Sequence, residues 1–129
     1  MSENQQTIER INVGPKAIGP YSPAIKAGGF IFISGQIPIN PESGKIDSPS
    51  IEWQTSQVLN NLRTILSECG SNFNRVVSAT IYLQDLADFA VINSIYEKAL
   101  GDARPTRATI QVAALPLGAK IEISMIALS

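Results

Sequence analysis

The stretch FIFISGQIPIN, residues 30–40, decides the fold. Its β-branched and aromatic residues favour a strand, and the near-continuous apolar run predicts one covered on both faces. Ser34-Gly35 interrupts it, and glycine inside a strong strand marks a bulge or a close backbone approach. Upstream lie a polar start over residues 1–7, a short alternating strand over 8–13 and the Gly- and Pro-rich loop GPKAIGPYSPA over 14–24. A second short strand over 24–28 turns at Gly28-Gly29.

Downstream, a turn over 41–48 with a possible short pairing leads to a helix starting near Ser48 or Ser50. Pro49 stands in its first turn, and Gly70 ends it. Val58, Leu59, Leu62, Ile65, Leu66 and Cys69 share one face of that helix at 3.6-residue spacing, so Cys69 reads as a small core residue rather than a reactive thiol. A strand over 75–83 follows. A second helix opens at Asp85 and Asp88, carries Phe89, Ile92, Tyr96 and Leu100 as a packing stripe, and stops at Gly101. Residues 106–113 and 119–128 read as strands turned at 115–118, hence a hairpin. The sum is one α+β domain over residues 1–129, with two helices on one face of a mixed sheet. The other face then needs cover, and a second copy of the chain is the simplest source.

Composition narrows the chemistry. Of 129 residues, 16% are charged, which is low for a chain that must coat itself, and so predicts surface covered by partner subunits. The net charge is -1, and the ten Lys and Arg are scattered rather than clustered, so nucleic acid is not the expected partner. Histidine is absent and cysteine occurs once. That inventory excludes Ser-His and Cys-His nucleophile systems and predicts no metal. No secretory leader or membrane-length apolar run stands out, which makes the cytoplasm the expected location and a membrane partner not expected.

Two charged residues sit among apolar neighbours. Arg107 shares a strand face with Thr109 and Gln111, while Ala108, Ile110 and Val112 take the other. It reads equally as a structural ion pair or as a fork for a planar carboxylate. Glu122, within KIEISMIAL, reads as a paired structural acid or as a general base whose burial raises its pKa. In the hairpin register the two stand about 13 Å apart, too far to bond directly. Tyr21 either caps a pocket or fills its loop. Asn93 lies between apolar residues of the second helix, where a surface amide is the plainer reading.

Together GPYSPA (19–24), FISGQIPIN (32–40), QVLNNLRTIL (57–66), VVSATIYLQDLADFAVIN (76–93) and RPTRATIQVAALPLGAKIEISMIAL (104–128) resemble the Rid/YjgF family of reactive-intermediate deaminases, in order and spacing. The resemblance implies a chorismate-mutase-like α+β fold and a homotrimer with sites between subunits. It also implies hydrolysis of small 2-imino or enamine acids, such as 2-aminoacrylate and 2-iminobutanoate, to 2-keto acids and ammonium without a cofactor. By the same resemblance Arg107 binds the substrate carboxylate, Glu122 positions water and Tyr21 closes the site. The resemblance likewise implies substrate contacts from Ser34, Gly35 and Asn93, with Thr109 expected to add its hydroxyl and backbone N–H. Thr109 stands where many members carry cysteine. Two alternatives remain: an endoribonuclease that inhibits translation, and a regulatory protein that binds small carboxylates without turnover.

Overall fold

The computed structural model describes residues 7–129; the polar stretch expected at the very start falls largely outside them. Six strands form one sheet: β1 (Glu9–Ile11), β2 (Ala24–Ala27), β3 (Phe30–Gln36), β4 (Val76–Leu83), β5 (Thr106–Gln111) and β6 (Ile121–Leu128), in the order β1-β2-β3-β6-β4-β5. Two helices, α1 (Ile51–Glu68) and α2 (Phe89–Leu100), pack on one face. The α+β class and the placement of both helices are as the sequence predicts.

The hairpin is not formed. β5 pairs parallel with β4 at the sheet edge, whereas β6 pairs antiparallel with both β3 and β4 in the middle. The reason is the crossover. α1 carries the chain from β3 to β4, and α2 carries it from β4 to β5, so these three strands run parallel, as strand–helix–strand units require. β3 and β4 are left with a strand-wide gap between them, and β6 fills it. Adjacency in sequence suggested pairing of β5 with β6; the helical connection of β5 to β4 takes precedence.

Local chemistry sets the element ends. Ser50 caps α1, its hydroxyl accepting from the Trp53 amide at 3.2 Å. Pro49 therefore precedes the cap rather than standing in the first turn. The chain leaves α1 at Cys69, and Gly70 takes a φ of 77° that other residues reach only with strain. Asp85 caps a 3-10 turn, Leu86–Asp88, that leads into α2, while Asp88 makes no side-chain cap.

The expected α1 stripe is buried to the last residue. Val58, Leu59, Leu62, Ile65, Leu66 and Cys69 meet Ile31 and Ile33 of β3, Ala79, Ile81 and Leu83 of β4, and alternate residues of β6 from Ile121 to Ala127. Burial pushes the Cys69 thiol above its ordinary pKa, which makes it less reactive. The opposite sheet face is bare in the single chain: Phe30 and Phe32 of β3 are 38% and 43% exposed. The two-sided cover read from residues 30–40 is thus half supplied.

Two buried amides fix the parts of the chain that later form a pocket. Asn61 of α1 donates to the Ile39 carbonyl at 2.9 Å. Gln54 accepts from the Lys120 amide at 2.8 Å and donates to the Ser48 carbonyl at 3.0 Å. Removing the Asn61 amide strands a carbonyl, so Asn61→Ala is expected to lower unfolding free energy by about 1–3 kcal/mol in urea titration. A change within ±0.5 kcal/mol would mean that Asn61 does not hold the segment from Ile37 to Asn40.

Candidate active site

The residues singled out from sequence form two groups on opposite faces of the sheet. The first is on the bare face. Tyr21, Ser34, Gly35 and Glu122, with Ile18, Ile37 and Pro116, line a cleft of about 300 Å³. Glu122 stands near the start of β6 opposite Tyr82 of β4, on the side away from the helices. It has no ion-pair partner among the described residues, so the structural-pair reading finds no support within the chain. Burial pushes its carboxyl above the usual glutamate range.

β3 is shaped to admit this carboxylate. Ile33 opposes Met125 and Gln36 opposes Ile123, three steps on β3 against two on β6, so the strand carries a bulge at Ser34-Gly35. The extra residue reverses the alternation beyond it. Gln36 turns into the helix-side core, and Gly35 turns towards Glu122. A Cβ on Gly35 would lie 2.7 Å from the Glu122 carboxyl carbon, so a side chain there would force the carboxyl out of this place. Ser34 is drawn the other way, its hydroxyl donating to the Ser22 carbonyl at 2.6 Å and its amide to the Pro23 carbonyl at 3.0 Å. These two bonds tie the Gly-Pro loop to β3 and hold Tyr21, which is 46% exposed, at the cleft mouth.

The second group is on the helix side of the sheet edge. Arg107 opposes Ala79 and Thr109 opposes Ile81, both helix-facing positions of β4. The face shared by Arg107, Thr109 and Gln111 is the one the alternation predicts. Arg107 has no carboxylate partner among the described residues. It rests instead on aromatic rings, its guanidinium carbon 5.6 Å from the Phe89 ring centre and 5.0 Å from that of Tyr96. Tyr96, 8% exposed, also packs in the core as the stripe predicts, whereas Phe89 is 39% exposed. Asn93 lies on the same stripe of α2 between them. Its carbonyl oxygen, the Tyr96 hydroxyl and the Thr109 hydroxyl are buried without a hydrogen-bond partner among the described residues. Such atoms each cost about 1–3 kcal/mol, and they belong to the same α2 stripe and β5 face as Tyr96 and Arg107.

Arg107 and Glu122 do not meet within one chain. They are two strand spacings and about three residues apart, roughly 14 Å, and they point to opposite sides of the sheet. The separation expected from a hairpin is thus right in size, but β4 causes it. No cluster of three or more His, Cys, Asp or Glu is arranged to hold a metal among the described residues. No helix there is long and apolar enough to cross a membrane. Sequence reasoning missed Ile18, Ile37 and Pro116 as cleft walls and the two rings under Arg107. The seven-residue spacing of Phe89 and Tyr96, with Asn93 between, was the available signal for the rings.

A mixed α+β sheet with a carboxylate cleft on its bare face and a free arginine at its edge defines the class. The family described as endoribonuclease L-PSP matches residues 11–129. Reactive Intermediate Deaminase A, chloroplastic, of Arabidopsis thaliana is 53% identical over 88% of this chain and 60% of its own length. The 2-iminobutanoate/2-iminopropanoate deaminase of Mus musculus is 43% identical over 88% of this chain and 84% of its own. The crystal structure of E. coli TdcF with bound serine superposes with a TM-score of 0.89 at 35% identity, covering 94% of this chain and 98% of that one. This chain belongs to the endoribonuclease L-PSP family, the Rid/YjgF proteins, and its named relatives at 43% and 53% identity are deaminases.

The fit of Gly35 against Glu122 gives a direct test. In Gly35→Ala the carboxyl is expected to swing into water, and its pKa to fall towards the ordinary glutamate value, because desolvation is what raises it. Carbon-13 NMR titration of Glu122 checks this, and an unmoved midpoint would contradict the close approach.

Proposed function

We propose that this protein hydrolyses small 2-imino acids, and their enamine tautomers, to 2-keto acids and ammonium, in sites completed between copies of the chain. The observation that carries the proposal is the split arrangement: an arginine with no carboxylate partner at the β5 edge, and a half-buried carboxylate in a cleft on the other face. An unpaired guanidinium beside orphaned polar atoms is suited to a planar carboxylate gripped at two points. The relatives named as deaminases, and the one whose crystal structure holds serine, support a small amino-acid-like ligand.

The bare face supports assembly. Phe30, Phe32, Ile110 and Leu128 are each at least 38% exposed, and by register the bare side carries them all. Packing such faces together, with three copies as the family resemblance implies, covers the apolar residues that the low charge content leaves bare. It also gives the edge of one copy a way to approach the cleft of the next. The cytoplasm is the proposed location.

In this arrangement Arg107 of one subunit fixes the carboxylate, and Asn93 and Thr109 beside it supply polar contacts. Tyr21, Ser34 and Gly35 of the neighbouring cleft close over the short side chain. Glu122 holds a water against the C=N carbon. Water oxygen bonds to carbon while a proton passes, through Glu122, to nitrogen. The resulting amino alcohol expels ammonia as its hydroxyl proton is lost, leaving the 2-keto acid, and the ammonia leaves as ammonium. An imine carbon is already electrophilic, so orientation of one water, worth up to about 7–11 kcal/mol when complete, suffices without a cofactor.

RNA cleavage, named in the family description, is less well supported here. The chain has no histidine and a net charge of -1, and it lacks the clustered cations that phosphate backbones require. A regulatory carboxylate binder would use the same Arg107 and show no turnover.

Two measurements test the proposal. Arg107→Ala is expected to reduce 2-aminoacrylate removal, in an assay coupled to a dehydratase, by at least about 100-fold, as loss of a charge-assisted double bond predicts. An unchanged rate would refute the fork. The rate should also fall with acid as Glu122 gains a proton. Because burial raises its pKa, that limb is expected above the ordinary glutamate range and absent in Glu122→Gln. A limb retained in Glu122→Gln would remove Glu122 from the chemistry.

A further inference from the structure

Arginine that must present both edges of its fork to a ligand cannot spend those edges on holding itself in place. A carboxylate beside it would occupy donors and cancel its charge. Ring faces do neither, since a cation over an aromatic face is attracted to the π-system while its N–H groups stay free in the guanidinium plane. Arg107 has this support from two rings. Its guanidinium carbon is 5.0 Å from the Tyr96 ring centre and 5.6 Å from that of Phe89.

The two rings differ in how firmly they are held. Phe89 starts α2 and is 39% exposed, whereas Tyr96 is in its third turn, 8% exposed and packed in the main core with Ile92 and Leu100. Tyr96 is the fixed wall. Its hydroxyl finds no partner among the described residues, so a hydrogen bond does not explain its place. Burial also keeps the phenol protonated, because desolvation raises its pKa more than Arg107 lowers it.

We infer that Tyr96 is a positioning residue: the face of its ring sets the plane of the Arg107 guanidinium and leaves both donor edges free for the substrate carboxylate. This rests on the deaminase reading, in which Arg107 binds that carboxylate. Tyr96 touches no reacting atom. Its effect falls on binding, hence on KM, and leaves the chemical step at Glu122 alone.

The experiment measures binding of 2-oxobutanoate, a stable short 2-keto acid, by calorimetry, alongside KM and kcat for the imine. The proteins are wild type, Arg107→Ala, Tyr96→Leu, Tyr96→Phe and Phe89→Leu. Tyr96→Leu keeps an apolar side chain in the core and removes the ring. It is expected to weaken binding and raise KM by about 2- to 30-fold, the range of cation–π contacts from exposed to desolvated, with kcat unchanged. Tyr96→Phe, which keeps the ring, is expected to restore wild-type binding. If Tyr96→Leu does not fold, Phe89→Leu at the exposed second ring is read the same way, with a smaller loss of about 2- to 5-fold expected. Retained binding in the leucine variants, with binding lost in Arg107→Ala, overturns the positioning role and leaves the deaminase reading intact. Equal losses in Tyr96→Phe and Tyr96→Leu assign the contact to the hydroxyl and also overturn it. A wild-type protein that binds no 2-keto acid and turns over no imine overturns the deaminase reading and this inference with it.

Discussion

β4 lies between β5 and β6, and its register decides what one copy of this chain can do. Ala79 and Ile81 face the helices and set Arg107 and Thr109 on that side, whereas Tyr82 faces away and sets Glu122 on the other. A pleated sheet gives no intermediate choice: a slip of one residue would exchange the faces and expose the core. The separation of cation from carboxylate is therefore fixed by the same alternation that buries Ile81 and Ile123. The site cannot be improved in one chain without unmaking its core.

Each half is held by a different device. Around Glu122 the device is backbone shape, in the form of an extra residue in β3, a glycine without a side chain and a loop tied by Ser34. Around Arg107 it is side-chain packing, with aromatic rings from α2 laid against an edge strand. Both devices avoid opposing charge. Glu122 stays poorly solvated with a raised pKa, and Arg107 keeps its donors unspent. Unmatched charges of opposite sign on two faces of one molecule are complementary between molecules, and the bare apolar face supplies a driving force for bringing copies together.

Much of this was legible in the sequence. The stripe from Val58 to Cys69 defined α1 because it keeps the helical period over about three turns. Ser34-Gly35 signalled a bulge or a close approach, and the structure has both. The alternation of Arg107, Thr109 and Gln111 needed only the two-residue period. The sheet order was not legible. Residues 106–113 and 119–128 look like a hairpin locally, and only the crossover through α2 shows that β5 belongs beside β4. The aromatic support of Arg107 was hidden for a similar reason. Phe89 and Tyr96 match a packing stripe, and nothing in one helix reveals which strand residue lies beneath it. Residue types alone left Arg107 and Glu122 ambiguous between ion pair and site, and the register shows that they do not pair with each other.

If the site is shared, two inactive proteins should repair each other. Arg107→Ala and Glu122→Gln subunits, unfolded together, refolded and mixed in equal amounts, would form some interfaces that join an intact arginine to an intact carboxylate. With random assembly roughly one quarter of interfaces are of that kind, so about a quarter of wild-type imine hydrolysis should return. Activity no higher than that of either variant alone, in mixed oligomers shown by mass spectrometry to contain both subunits, would contradict a site built across chains.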